Sequence, residues 1–142
     1  MSVKYNYFSG EFDSLYPDEI FVFGSNEAGI HGSGAARTAR EKFGAVYGVG
    51  VGITGDCYAI PTKDKNIQTL PPDKIRMYVE DFKEYAWRTY ALPRGGFDAD
   101  KIFLVTKIGC GLAGYKNEDI APMFRGSPKN CWFDLEWEQY LT

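Results

Sequence analysis

The sequence predicts a single α/β domain in which strands deliver two glycine-rich loops to one end of a sheet. Three observations carry that expectation. Short apolar runs alternate with stretches of helical periodicity. Two of the runs lead straight into glycine loops that open helices. A length of 142 residues fits one core and leaves little room for a second domain.

Taken in order, Ile20 to Phe23 reads as a buried strand ended by Gly24, and Ser25 to Gly34 as the loop leaving it. Ala35, Ala36, Ala39 and Phe43 then recur at helical spacing, with Gly44 where a helix C-cap belongs. Gly44 to Gly55 is a glycine-rich loop or an irregular hairpin. Cys57 to Ile60 reads as a second buried strand closed by Pro61, and Thr62 to Thr69 as a polar loop. Pro71-Pro72-Asp73 opens the strongest helix, with Ile75, Val79, Phe82 and Ala86 on one face and Lys74, Arg76, Glu80 and Lys83 on the other. It runs to about Tyr90, because Pro93 and Gly95-Gly96 follow.

Lys101 to Ile108 is the third strand, and Gly109 to Tyr115 the second glycine loop. Asn117 is the expected cap of a short helix from Glu118 to about Phe124. Phe133, Trp137 and Tyr140 are helically spaced, so the tail from Trp132 to Leu141 is expected to form a last short helix.

Composition narrows the function. The chain is 44% hydrophobic and 25% charged, an ordinary globular balance, and its 16% aromatic content assigns first to a ring-rich core. Net charge is −3 without a basic run, which disfavours nucleic acid as a backbone ligand and leaves a nucleotide-sized ligand open. Met1 to Phe12 lacks the apolar region of a secretory signal, and no stretch reaches membrane-spanning length. Cys57, Cys110 and Cys131 are odd in number and widely spaced, and there is one histidine. Neither a disulfide framework nor a metal site is expected, and the predicted location is the cytoplasm.

The pair of glycine loops is the informative feature. A helix N-terminus presents free N–H groups and partial positive charge, and glycines let a phosphate approach the backbone. One such loop makes a tight turn as readily as a site. Two, each leaving a strand end, suit the two phosphates of one diphosphate, at the carboxyl ends where open α/β sheets bind ligands. Neither loop continues into the glycine-lysine-serine or -threonine of a P-loop. Gly109, Gly111 and Gly114 spell G-x-G-x-x-G, but the 28 residues after Gly114 are too few for a Rossmann half.

Asn26-Glu27-Ala28-Gly29-Ile30-His31-Gly32-Ser33-Gly34-Ala35-Ala36 resembles the first ligand loop of macrodomains, in which an asparagine precedes a glycine-rich turn. Ile108 to Tyr115 is similar to the second family loop. Tyr58-Ala59-Ile60-Pro61-Thr62-Lys63 and Ile108 to Leu112 resemble segments of the subgroup that includes terminal ADP-ribose glycohydrolase. The resemblance implies a three-layer sandwich with a mixed central sheet and a cleft at the strand carboxyl ends. It implies ADP-ribose or a related NAD-derived nucleotide as ligand, free or attached to a macromolecule, and no cofactor.

By that analogy Asn26 contacts the distal ribose, and Gly29, Gly32, Ser33, Gly34 and Ala35 surround it and its phosphate. Gly109, Cys110, Gly111, Leu112, Ala113 and Gly114 grip the diphosphate, and Asp13 stands at the family spacing for an adenine contact, with Glu11 and Asp18 nearby and each also readable as a solvated loop residue. Tyr115 is expected to flank the ligand. Departures bear on chemistry: Ala36 and Ala113 occupy positions where hydrolytic members carry aspartate. The candidates left near the distal ribose are Asn26, His31 and Lys63. His31 reads as a group that shapes the turn or as a general acid–base, and Lys63 as a surface lysine or, by the analogy, as a Schiff-base or ribose-contacting group. Cys110 is the small packing residue of its loop before it is a nucleophile, because no base stands beside it. Whether turnover follows binding stays open.

Overall fold

The computed structural model describes residues 4–93 and 100–142. Gly95 and Gly96, read as a helix stop, lie outside them. Six strands and four α-helices follow one another as β1 (Asn6–Phe8), β2 (Glu19–Asn26), α1 (Gly34–Lys42), β3 (Gly52–Thr54), β4 (Cys57–Lys63), α2 (Pro72–Tyr90), β5 (Ile102–Val105), α3 (Asn117–Ile120), β6 (Cys131–Asp134) and α4 (Glu138–Leu141). Single 3₁₀ turns at Ala121–Phe124 and Leu135–Trp137 lead into the last strand region and the last helix.

The strands form one sheet in the order β1-β6-β5-β2-β4-β3. All neighbours are parallel except β3, which folds back antiparallel on β4, so the sheet is mixed. Alternation along β2 builds a core on each face. Phe21 and Phe23 point to one side, where α1 supplies Ala36 and Ala39 and the chain beyond it supplies Phe43. Ile20 and Val22 point to the other, where α2 lays down Ile75, Val79, Phe82 and Ala86, all fully buried. Helix–sheet–helix layering follows, and burial of each such Val, Ile or Phe stabilises by about 1.5–3 kcal/mol.

Several elements depart from the sequence expectation. The tail is not helical from Trp132: Cys131–Asp134 pairs with β5 and β1, because Cys131 and Phe133 alternate into the core at period two. Only Glu138–Leu141 is α-helix. Strand β4 runs through Pro61 to Lys63, and the missing proline N–H falls where the β2–β4 register slips between Ser25 and Asn26. Asn117 does not cap α3. Its Oδ1 accepts a hydrogen bond from Trp137 Nε1 at 3.0 Å, and Asp119 instead reaches back to the Lys116 N–H at 2.9 Å. Among the described residues, no helix is long and apolar enough to cross a membrane.

Candidate functional site

The carboxyl ends of β2, β4 and β5 open into a cleft of about 580 Å³. Its floor is Gly24, Ser25 and Asn26 at the end of β2, flanked by Thr62 and Lys63 from β4 and by Thr106 and Lys107 just beyond β5. Both glycine loops wall it. Thr106 fixes the two central strand ends together, its N–H and its hydroxyl both donating to the Val22 carbonyl at 3.1 and 2.7 Å.

The first loop is shaped by Asn26. Its side-chain nitrogen donates to the Ile30 carbonyl at 2.8 Å, and its oxygen accepts from the Ile30 N–H at 3.0 Å. The amide stands in for a strand neighbour and folds the chain back over the end of β2. Beyond it, helix α1 starts at the cleft with no side-chain cap and no acidic residue in its first turn. The backbone N–H groups of Gly32, Ser33, Gly34 and Ala35 have no partner among the described residues. The second loop turns on itself through Gly114 N–H to Gly111 O at 3.0 Å and Tyr115 N–H to Gly109 O at 2.9 Å. That folding leaves the N–H groups of Gly111, Leu112 and Ala113 unpartnered among the described residues.

Of the residues singled out from the sequence, Asn26, Gly32, Ser33, Gly34, Ala35, Lys63, Gly109, Cys110, Gly111, Leu112 and Ala113 line this one cleft. Five do not. Gly29 is pressed against the Gly48–Val49 backbone. His31 is fully buried behind the loop, edge-on to Phe23 at 5.5 Å between ring centroids. Gly114 only closes its turn. Tyr115 packs toward the α2 core and donates its hydroxyl to the Leu70 carbonyl at 2.6 Å. Asp13 has a side chain 97% exposed, paired with Lys42 at 3.3 Å, and it is Glu11 that reaches the cleft wall. Thr106 and Lys107, missed in the sequence, were legible as residues ending the third strand. Ile30 carries only the signal of its loop, and Ile67 none.

The electrostatics separate the candidate groups. Lys107 pairs with Glu136, whose hydrogen bond pushes the lysine pKa up. Lys63 has no ion pair among the described residues; the neighbouring Asp64 turns its Oδ1 to the Asn66 and Gln68 N–H groups at 2.8 and 3.0 Å. Burial pushes the Cys110 thiol up to about 11, opposed by Lys107, so it stays protonated and packs rather than attacks.

His31 is the chain's one histidine, and among the described residues neither buried ring nitrogen makes a well-formed hydrogen bond, the Val49 backbone being only a weak partner. Burial is the main cause that pulls its pKa below the ordinary value, with Arg40 adding to it and the Val49 backbone opposing. The folded state therefore prefers neutral His31, and the unfolded chain takes up the proton first on acidification. Stability from this site is complete above about pH 6.5 and falls as pH drops below it. The urea midpoint of the wild type should decline through that window, and that of His31→Gln should decline less. Equal declines would show that another group is responsible.

Comparison with protein-family models, with curated proteins and with solved structures finds no match to this chain.

Proposed function

We propose that the cleft binds ADP-ribose or a closely related NAD-derived nucleotide by its diphosphate. The observation that carries this reading is the convergence of two separate sets of unpartnered N–H groups on one cleft at the strand carboxyl ends. Such donors hold phosphate oxygens with charge-assisted hydrogen bonds, and the uncapped start of α1 adds its partial positive charge. Lys63, without an ion pair among the described residues, supplies a cation at the β4 end. The macrodomain likeness of both loops puts the distal ribose at that end and the adenine toward the other.

Binding without turnover is the favoured form of this reading. Among the described residues Glu11 is the one carboxylate on the cleft wall, and it lies in the loop after β1, which three strands separate from the β4 that carries Lys63. Ala113 stands where hydrolytic relatives of the resemblance carry their acid, the Cys110 thiol is protonated, and both polar atoms of Asn26 are already engaged in the loop.

A melting-temperature panel of ADP-ribose, its 1″-phosphate, NAD and cyclic derivatives tests the assignment. A ligand at a thousand times its Kd stabilises by about 4 kcal/mol, a rise of roughly 14 °C for a domain of this size. ADP-ribose is expected to give that rise, and no rise with any of the four would remove the proposal.

A further inference from the structure

We propose that Ile67 is a specificity-determining residue of the cleft, which covers the terminal sugar of a sugar nucleotide and so separates that class from a bare nucleoside diphosphate. The inference rests on the ligand and orientation argued above. Its starting point is a conformation. Ile67 has φ of 63°, the one left-handed non-glycine residue among those described. A β-branched side chain is the least suited to that region, where glycine, asparagine and aspartate are the usual occupants.

The strained turn is firmly built. Besides its two carboxylate bonds, the Asp64 N–H donates to the Gln68 carbonyl at 2.8 Å, and its own carbonyl accepts from the Ile67 N–H at 3.1 Å. Thr69 bridges back to Lys63 and donates its hydroxyl to the Ala113 carbonyl at 3.1 Å. The turn is thereby tied to the β4 end of the cleft and to the second glycine loop.

Burial does not offset the strain. Ile67 is 41% exposed and belongs to neither apolar core cluster, yet it lines the cleft. Asn66, which tolerates the left-handed region, stands one position too early to relieve it. An apolar wall in the same cleft as the Lys63 ammonium fits a pentose, whose C–H face packs on the isoleucine while its hydroxyls meet the polar side. Strain held at a cleft wall is the pattern expected where a side chain is kept for a ligand rather than for the fold.

Titrating wild type, Ile67→Gly and Ile67→Asn with ADP-ribose and with ADP tests this, with melting temperatures measured alongside. Both substitutions remove the apolar branched side chain and ease the backbone, so both variants should melt no lower than wild type. They should lose about tenfold in ADP-ribose affinity and stay within about twofold of wild type for ADP. Unchanged ADP-ribose affinity, an equal loss for both ligands, or a loss accompanied by lower melting temperatures would overturn the assignment. Wild type that binds neither ligand overturns the cleft reading and this inference with it. Wild type that binds while the variants are indifferent overturns the role of Ile67 alone.

Discussion

Gly111→Glu is expected to leave the protein folded and to abolish nucleotide binding. A Cβ built at Gly111 meets nothing within 4 Å, and its backbone is not left-handed, so the substitution strains neither core nor turn. The carboxylate it adds sits among the N–H groups of Gly111, Leu112 and Ala113 that are assigned to a phosphate. It fills the space, satisfies those donors and repels the ligand. Loss of several charge-assisted bonds, each worth about 1.5–3 kcal/mol, lowers affinity by more than about a hundredfold. Titration with ADP-ribose beside a thermal melt measures both halves of the expectation. Gly34→Glu is a less clean probe, because Gly34 has φ of 61° and lies against Leu112 Cδ1. Retained binding in folded Gly111→Glu would mean that the second loop is not a phosphate loop.

Gly29→Ala is expected to cost the most stability of any single change in the first loop. Its φ is 72°, and a Cβ there would lie 2.4 Å from both Gly48 C and Val49 N, which are backbone atoms unable to rotate away. Gly48 N–H also donates to the Gly29 carbonyl at 2.9 Å, so the two segments cannot separate without losing that bond. Overpacking and left-handed strain together should cost about 3 kcal/mol or more, roughly 10 °C in melting temperature. Gly32→Ala, whose Cβ meets nothing within 4 Å, serves as the control and should melt like wild type. Equal melting of the two variants would show that the 44–51 segment yields easily and does not brace the loop.

These two glycines show what a sequence discloses and what it does not. In the motif Gly29 and Gly32 look alike, and the resemblance gives both to the ligand. One is required by the Gly48–Val49 backbone, which is distant enough in the chain that no local pattern announces it. The helix from Pro72 to Tyr90 was legible because its burial repeats at 3.6 residues and nothing else competes. The Cys131–Asp134 strand was not, since Phe133, Trp137 and Tyr140 fit a helix by spacing while parallel pairing with β5 and β1 decides the outcome. The site followed the same division. Both loops and Lys63 were placed by their position after strands, whereas Glu11 and Ile67 arrive from segments without periodicity. Asp13 and Glu11 could not be separated by sequence spacing, because the pairing of Asp13 with Lys42 depends on the tertiary position of α1.

Isothermal calorimetry of the wild-type protein with ADP-ribose, at two temperatures, tests the central claim most directly. Burial of the nucleotide gives a negative heat-capacity change, so the binding heat cannot vanish at both. The account predicts one site with a Kd of order micromolar, about −8 kcal/mol. Absence of heat at both temperatures, for ADP-ribose and for each of its derivatives, would contradict it.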